Sequence, residues 1–169
     1  QEIISNARDA HRELGNANEP IEITIPNNIN PMFIVRDFGV GISPSRMEDV
    51  YVKYGNSTKR QDNIQTGGFG LGAKSPFAYS DSFTVISITP NDDGKLIRRE
   101  YVAYLDKTQL GAISLVNESE TTERRGTAIS IPCNKQDFQI FADYVASIVQ
   151  YWEVIPIING MKVEAYKSA

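Results

Sequence analysis

Three short groups of residues have the types and spacing to do chemistry. The first is Glu2-x-x-x-Asn6-x-x-Asp9-Ala10. On a helix turning roughly 100° per residue, Glu2, Asn6 and Asp9 fall within about 60° of one another and form one polar stripe. Such a stripe offers a carboxylate to activate water, beside an amide oxygen and a second acid suited to Mg²⁺, a hard cation that prefers oxygen ligands. Glu13 extends the stripe, so a solvated helix face is the competing reading.

The second group is Asp37-Phe38-Gly39-Val40-Gly41, at an expected strand end. A carboxylate there can accept a hydrogen bond from an exocyclic amine, while glycines let a flat ring approach the backbone. An ordinary turn after a strand is the alternative. The third group is Thr66-Gly67-Gly68-Phe69-Gly70-Leu71-Gly72-Ala73-Lys74-Ser75, with four glycines in the six residues 67–72. Opening a helix, it would expose consecutive N–H groups at the positive end of the helix dipole, a cradle for a phosphate-like anion. A flexible linker is the other reading, against which stand Phe69, Leu71 and the apolar segment behind them.

Two phosphate-binding motifs nearly fit this third group. Gly68-x-x-x-x-Ala73-Lys74-Ser75 approaches a Walker A loop, and Gly68-x-Gly70-x-x-Ala73 satisfies the dinucleotide fingerprint. Both require a buried strand directly before the loop. Residues 55–66 are polar apart from Ile64, so that strand is missing, and Ala73 puts a Cβ where a P-loop keeps bare backbone.

Elements must hold these groups in place. Ile3, Ile4, Ala7, Ala10 and Leu14 share one arc of an amphipathic opening helix that stops at Gly15-Asn16. Strand patterns follow at 21–25 and 32–35, the second delivering Arg36-Asp37 into its turn. Ser43-Pro44-Ser45 caps a short helix expected over 46–52. Residues 53–68 read as a long loop, a length that usually signals either function or disorder, and 73–79 as a helix. Further strands are expected at 82–89, 96–105, 110–115 and 127–131, a helix at 136–152, and a hairpin of 155–158 with 161–166 around Asn159-Gly160. Strands and helices do not alternate strictly. The pattern predicts an α+β fold, a two-layer sandwich whose mixed, mainly antiparallel sheet carries helices on one face.

Length and composition set the frame. The 169 residues suit a single domain over 1–169, with the motifs in 1–131 and a C-terminal helix and hairpin in 132–169. Apolar residues make up 41% and there are 12 glycines, a globular composition that excludes disordered and collagen-like chains. Cys133 is the single cysteine, so no internal disulfide is available. It has no histidine nearby in sequence to serve as its base. No apolar run approaches the ~18–20 residues of a membrane-spanning helix. The net charge of −4 gives no broad electrostatic grip on nucleic acid. Arg98-Arg99-Glu100 and Glu123-Arg124-Arg125 read as solvated, mixed-charge edges. His11 lies on the apolar side of the first helix and, with no second histidine to share a metal, reads as a packed residue. Tyr151 and Trp152 read as core or interface. The chain begins at Gln1 in an already helical pattern, as expected of a piece of a longer protein.

The order of the groups carries more than any one of them. Glu2-x-x-x-Asn6-x-x-Asp9-Ala10, Asp37-x-Gly39-x-Gly41, a polar lid segment, Gly68-x-Gly70-Leu71-Gly72 and Gly126-Thr127-Ala128-Ile129 together resemble the Bergerat-fold ATPases. That superfamily includes DNA gyrase, the heat-shock chaperone of ninety kilodaltons, histidine kinases and MutL. Within it, Asn6-Ala7-Arg8-Asp9-Ala10-His11, Arg36-Asp37-Phe38-Gly39 and residues 67–79 are similar to the rIIA-like phage lysis-inhibition family.

The resemblance implies ATP and Mg²⁺ as ligands and assigns roles. Glu2 would be the general base toward the attacking water, and Asn6 would bind the Mg²⁺, with Asp9 as a further candidate. Asp37 would accept the adenine amine, Gly41 would give the ring room, and Thr127 would complete the contact. Gly68, Gly70, Leu71, Gly72 and Lys74 would meet the phosphates, and Ser57, Thr58 and Lys59 belong to the lid. Histidine kinases generally lack the first glutamate, so Glu2 favours hydrolysis over transfer to a histidine. The implied activity is slow ATP hydrolysis coupled to lid closure and homodimerisation; the alternative is an ATP-binding switch with negligible turnover. A host or phage protein partner is also implied, and the setting would be the cytoplasm of an infected bacterium, with peripheral contact to the inner membrane.

Overall fold

Phe33 and Val35 are buried while Met32, Ile34 and Arg36 around them are half-exposed, the period-two signature of a strand with one well-covered face. The same alternation recurs along the chain and builds the sheet. The computed structural model describes residues 4, 7–9, 11, 15, 19–49, 79–108, 110–149 and 155–159. Among them are strands β1 (Glu22–Thr24), β2 (Met32–Arg36), β3 (Ser82–Pro90), β4 (Leu96–Leu105), β5 (Gly111–Glu120), β6 (Gly126–Pro132) and β7 (Ile157–Asn159). They form one sheet in the order β5-β4-β3-β6-β2-β1-β7. Every neighbouring pair is antiparallel except β1 with β7, which is parallel. The fold is therefore the expected α+β arrangement with a mixed, mainly antiparallel sheet.

Helices cover one face. Residues 4, 7–9 and 11 are helical (α1), as are residues 44–49 (α2) and Phe138–Val149 (α3). Ile4 and Ala7 of α1, Met47 of α2, and Phe141, Ala142 and Val145 of α3 join Ile23, Phe33, Val35, Phe83, Val85, Ile129 and Ile131 in one core. Fully burying a side chain of this size contributes about 1.5–3 kcal/mol. Phe33 stacks on Phe141 with ring centroids 5.0 Å apart, and Tyr79 meets Phe141 edge-on at 5.1 Å. The Tyr79 hydroxyl donates to Asp137 Oδ2 at 2.9 Å and accepts from the Asn134 N–H at 2.9 Å. The chain is thereby pinned just before it enters β3.

Several element limits differ from the sequence expectation. β5 runs to Glu120 instead of ending at Leu115. Its polar second half is held by cross-strand pairing, with Arg99 bound to Glu118 at 2.7 Å and Lys95 near Glu120 at 3.5 Å, after a bulge opposite Glu100 and Tyr101. Arg98 also lies 3.3 Å from Glu123. These arginines are sheet pairings, more than the solvated edges expected of them. α2 starts at Pro44, two residues before the expected Arg46, because the Ser43 carbonyl already accepts from the Arg46 and Met47 N–H groups at 3.1 Å and proline suits a first helical position. A 3₁₀ turn, Lys135–Asp137, occupies the start of the expected last helix, and α3 follows it. β7 aligns parallel to β1, Glu22 opposite Ile157. The second half of the expected hairpin, the loop at 53–68, the helix at 73–78, and Tyr151 and Trp152 lie outside the described residues. No helix among the described residues is long and apolar enough to cross a membrane.

Candidate functional site

The site grows from the register of two strands. β2 pairs with β6 so that Val35 faces Ile129 and Arg36 faces Ala128. One residue further, Asp37 stands across from Thr127: the Asp37 N–H donates to the Thr127 carbonyl at 2.8 Å, and the Thr127 N–H donates to Asp37 Oδ1 at 3.2 Å. Period-two alternation puts both on the same sheet face as Val35 and Ile129, the face that carries the helices. Polar residues thus replace apolar ones at this end of the core.

Asp37 is buried, and the Gly39 N–H also donates to Oδ1, at 3.0 Å. Burial pushes the carboxyl up to about 6 from an ordinary 3.8, against the pull of the Gly39 and Thr127 N–H groups and of nearby His11 and Arg36. Both donors go to Oδ1, and Oδ2 has no hydrogen bond among the described residues. A desolvated carboxylate with one oxygen so engaged is a strong acceptor for an N–H group brought by a ligand.

The loop after Asp37 is seated against β3 and β6. Ser87, buried and level with Thr127 across β3 and β6, donates its hydroxyl to the Ile42 carbonyl at 2.7 Å and accepts from the Ile42 N–H at 2.9 Å. Arg125 Nε donates to the Val40 carbonyl at 2.7 Å. Gly41 has φ +77°, and a Cβ there would sit 2.6 Å from Thr89 Cγ2 and 2.9 Å from the Ile88 carbonyl oxygen. Its bare Cα is what lets the loop lie on β3.

Behind Asp37, contacts close a ring around Phe38. His11 Nε2 accepts from the Phe38 N–H at 2.6 Å, and His11 Nδ1 lies 3.0 Å from the Glu19 carbonyl oxygen. Glu19 is ion-paired with Arg124. The Arg124 guanidinium lies over the Phe38 ring, 4.2 Å from its centroid, and Arg36 lies 5.0 Å from the same centroid. His11 is fully buried, as a packed residue should be. Its hydrogen bond to the loop carrying Asp37, and the loop-holding roles of Arg124 and Arg125, had no signal in the sequence.

The structure brings Asp37 and Thr127 together, whereas Gly41, expected to give a ring room, turns its bare Cα toward Thr89 and Ile88 of β3. Asp9 is exposed on α1. Glu2, Asn6, Ser57, Thr58, Lys59, Gly68, Gly70, Leu71, Gly72 and Lys74 lie outside the described residues. Among the described residues no three or more His, Cys, Asp or Glu side chains gather into a cation site. Mg²⁺ does not require such a cage: one or two protein oxygens plus substrate phosphates and water complete its octahedron. Cys133 is half-buried and burial pushes its thiol up to about 11, so it stays a thiol at neutral pH.

Comparison with known proteins gives the family. Residues 1–127 match the family described as histidine kinase-, DNA gyrase B- and HSP90-like ATPase. The chain is 28% identical over 166 residues to the chaperone protein HtpG of Rickettsia akari (strain Hartford), covering 85% of this chain and 25% of that protein. It is 29% identical over 160 residues to the HtpG of Rickettsia canadensis (strain McKiel), covering 81% and 24%. The chain therefore spans about a quarter of the length of these relatives. With three quarters of its length matched by the family and a buried acid seated across from Thr127, the chain belongs to the histidine kinase-, DNA gyrase B- and HSP90-like ATPases.

Proposed function

We propose that this domain binds Mg²⁺·ATP and hydrolyses it slowly. The observation that carries the reading is the buried Asp37 carboxylate, held through Oδ1 by two backbone N–H groups. In this role it accepts the adenine amine, with Thr127 beside it and Gly41 keeping the loop in place. Gly68, Gly70, Leu71, Gly72 and Lys74 meet the phosphates, Asn6 and Asp9 take part in holding Mg²⁺, and Glu2 serves as base toward the attacking water. Phosphoryl transfer asks a protein mainly to position groups and neutralise charge, which such a set supplies. Ser57, Thr58 and Lys59 belong to a lid over the phosphates, and ATP-dependent pairing of two chains follows lid closure. The similarity of residues 6–11, 36–39 and 67–79 to rIIA-like proteins supports a role inside a phage-infected bacterium.

Calorimetry with ATP, beside a turnover assay, tests this on two variants. Asp37→Ala abolishes nucleotide binding, whereas Glu2→Ala keeps binding and loses turnover. Tight ATP binding by the Asp37 variant would falsify the adenine assignment. Binding without measurable turnover in the unsubstituted protein would make ATP a switch ligand instead.

A further inference from the structure

The backbone of Asp37 is held from three directions. Its own N–H is bound by the Thr127 carbonyl at 2.8 Å. Its carbonyl oxygen lies against Gly126, where a Cβ would come within 2.0 Å of it. The next peptide N–H, that of Phe38, is bound by His11 Nε2 at 2.6 Å. His11 is the one member of this set that comes from α1. Its ring is buried, packed 6.1 Å from the Phe38 ring between centroids, and its second nitrogen faces the Glu19 carbonyl. Both contacts are satisfied together only when Nδ1 carries the proton and donates to Glu19 while Nε2 accepts.

We propose that His11 is a positioning residue for base selection: it fixes the Asp37–Phe38 peptide, and so aims the carboxylate that distinguishes adenine from guanine. This rests on the reading of Asp37 as the acceptor of the adenine amine. At the six position of the ring adenine offers an N–H donor, whereas guanine offers a carbonyl oxygen that a carboxylate repels. The discrimination depends on where the carboxylate points, because a misaligned hydrogen bond weakens steeply. Without His11, the Phe38 N–H loses the 2.6 Å acceptor that α1 supplies, and the Asp37–Phe38 peptide keeps only the restraints from β6. The Glu19–Arg124 ion pair and the Arg124 guanidinium over the Phe38 ring hold the Phe38 side chain, but they do not replace that bond.

The test compares ATP and GTP affinities by calorimetry for the unsubstituted protein, His11→Leu, His11→Gln and Asp37→Asn. The expected result is a fall of about tenfold in the ATP-over-GTP ratio for His11→Leu, the scale of one lost hydrogen bond. His11→Gln should recover most of it, since an amide oxygen can accept from Phe38 while its nitrogen donates to Glu19. An unchanged ratio in His11→Leu, with the ratio lost in Asp37→Asn, overturns the role of His11 and leaves the site reading standing. A ratio retained in Asp37→Asn overturns the site reading itself. Should His11→Leu fail to fold, nitrogen NMR of the unsubstituted protein decides: Nδ1 should carry the proton, and the His11 and Phe38 resonances should shift with ADP and not with GDP. A proton on Nε2, or resonances unmoved by ADP, overturns the inference.

Discussion

Gly126 lies so close to Asp37 that a Cβ built on it would stand 2.0 Å from the Asp37 carbonyl oxygen. With φ at +146°, the backbone there is also one that side-chain-bearing residues rarely adopt. The glycine that opens β6 is thus the surface on which the acid-bearing turn rests.

Gly126→Ala should therefore push Asp37 off its strand. We expect a loss of about 3 kcal/mol in folding stability or more, as for overpacked, backbone-strained sites, and nucleotide binding lost with it. Thermal melts beside calorimetry check this. A variant that melts near the unsubstituted protein would show that the turn can relax around the new methyl group.

Asp37→Asn separates stability from binding. Burial keeps the acid at about 6, so at pH 7 its charged form carries a desolvation cost that an amide does not. The sign follows from linkage: the acid's contribution is full below pH about 4, in the protonated form, and is lost as pH rises through about 6. The variant should gain stability relative to the unsubstituted protein from pH 5 to 8, while losing at least tenfold in ATP affinity. Melts in a pH series answer the first part. A relative gain that shrinks as pH rises would contradict the burial argument.

Nucleotide affinity should carry the same proton dependence with the opposite sense. The ionised carboxylate is the better acceptor, so ATP should bind more tightly as pH rises through about 6, the value to which burial lifts Asp37. Adenosine, which lacks phosphates that titrate nearby, is the cleaner probe. Calorimetry at pH 5 and pH 7 would reveal the difference, and equal affinities would place the adenine contact elsewhere.

Ser87→Ala removes a hydroxyl that both gives to and takes from the Ile42 backbone, at 2.7 and 2.9 Å. Stranding a part-buried N–H and carbonyl costs about 1–3 kcal/mol, and the loop from Gly39 to Ile42 should loosen. Hydrogen exchange at Ile42 is the direct readout: faster exchange with a smaller fall in ATP affinity is expected, and unaltered protection would exclude the clamp.

The sequence determined the elements and the identities of the chemistry-bearing residues. Alternation of Phe33 and Val35 with Met32 and Ile34 wrote β2, the Asp37-x-Gly39-x-Gly41 spacing marked the turn, and Gly126-Thr127 marked the strand that meets it. Such signals are local, set by side-chain period and by backbone freedom over a few residues. The polar half of β5 escaped this reading because its strand form comes from pairing with β4, Ile97 opposite Glu120 through Glu100 opposite Asn117, with Arg99 bound to Glu118 across the pair.

Tertiary structure alone decided what surrounds the acid. Thr127 reaches Asp37 across 90 positions of sequence, Arg125 reaches Val40 across 85, and His11 reaches Phe38 across 27. No periodicity encodes such pairs. They arise because the antiparallel register of β2 and β6 and the packing of α1 bring together polar groups that must find partners once water is excluded. The same exclusion of water turns Asp37 from a turn residue into a buried acceptor lifted to about 6. Residue type supplied the carboxylate, and its surroundings gave it its chemistry.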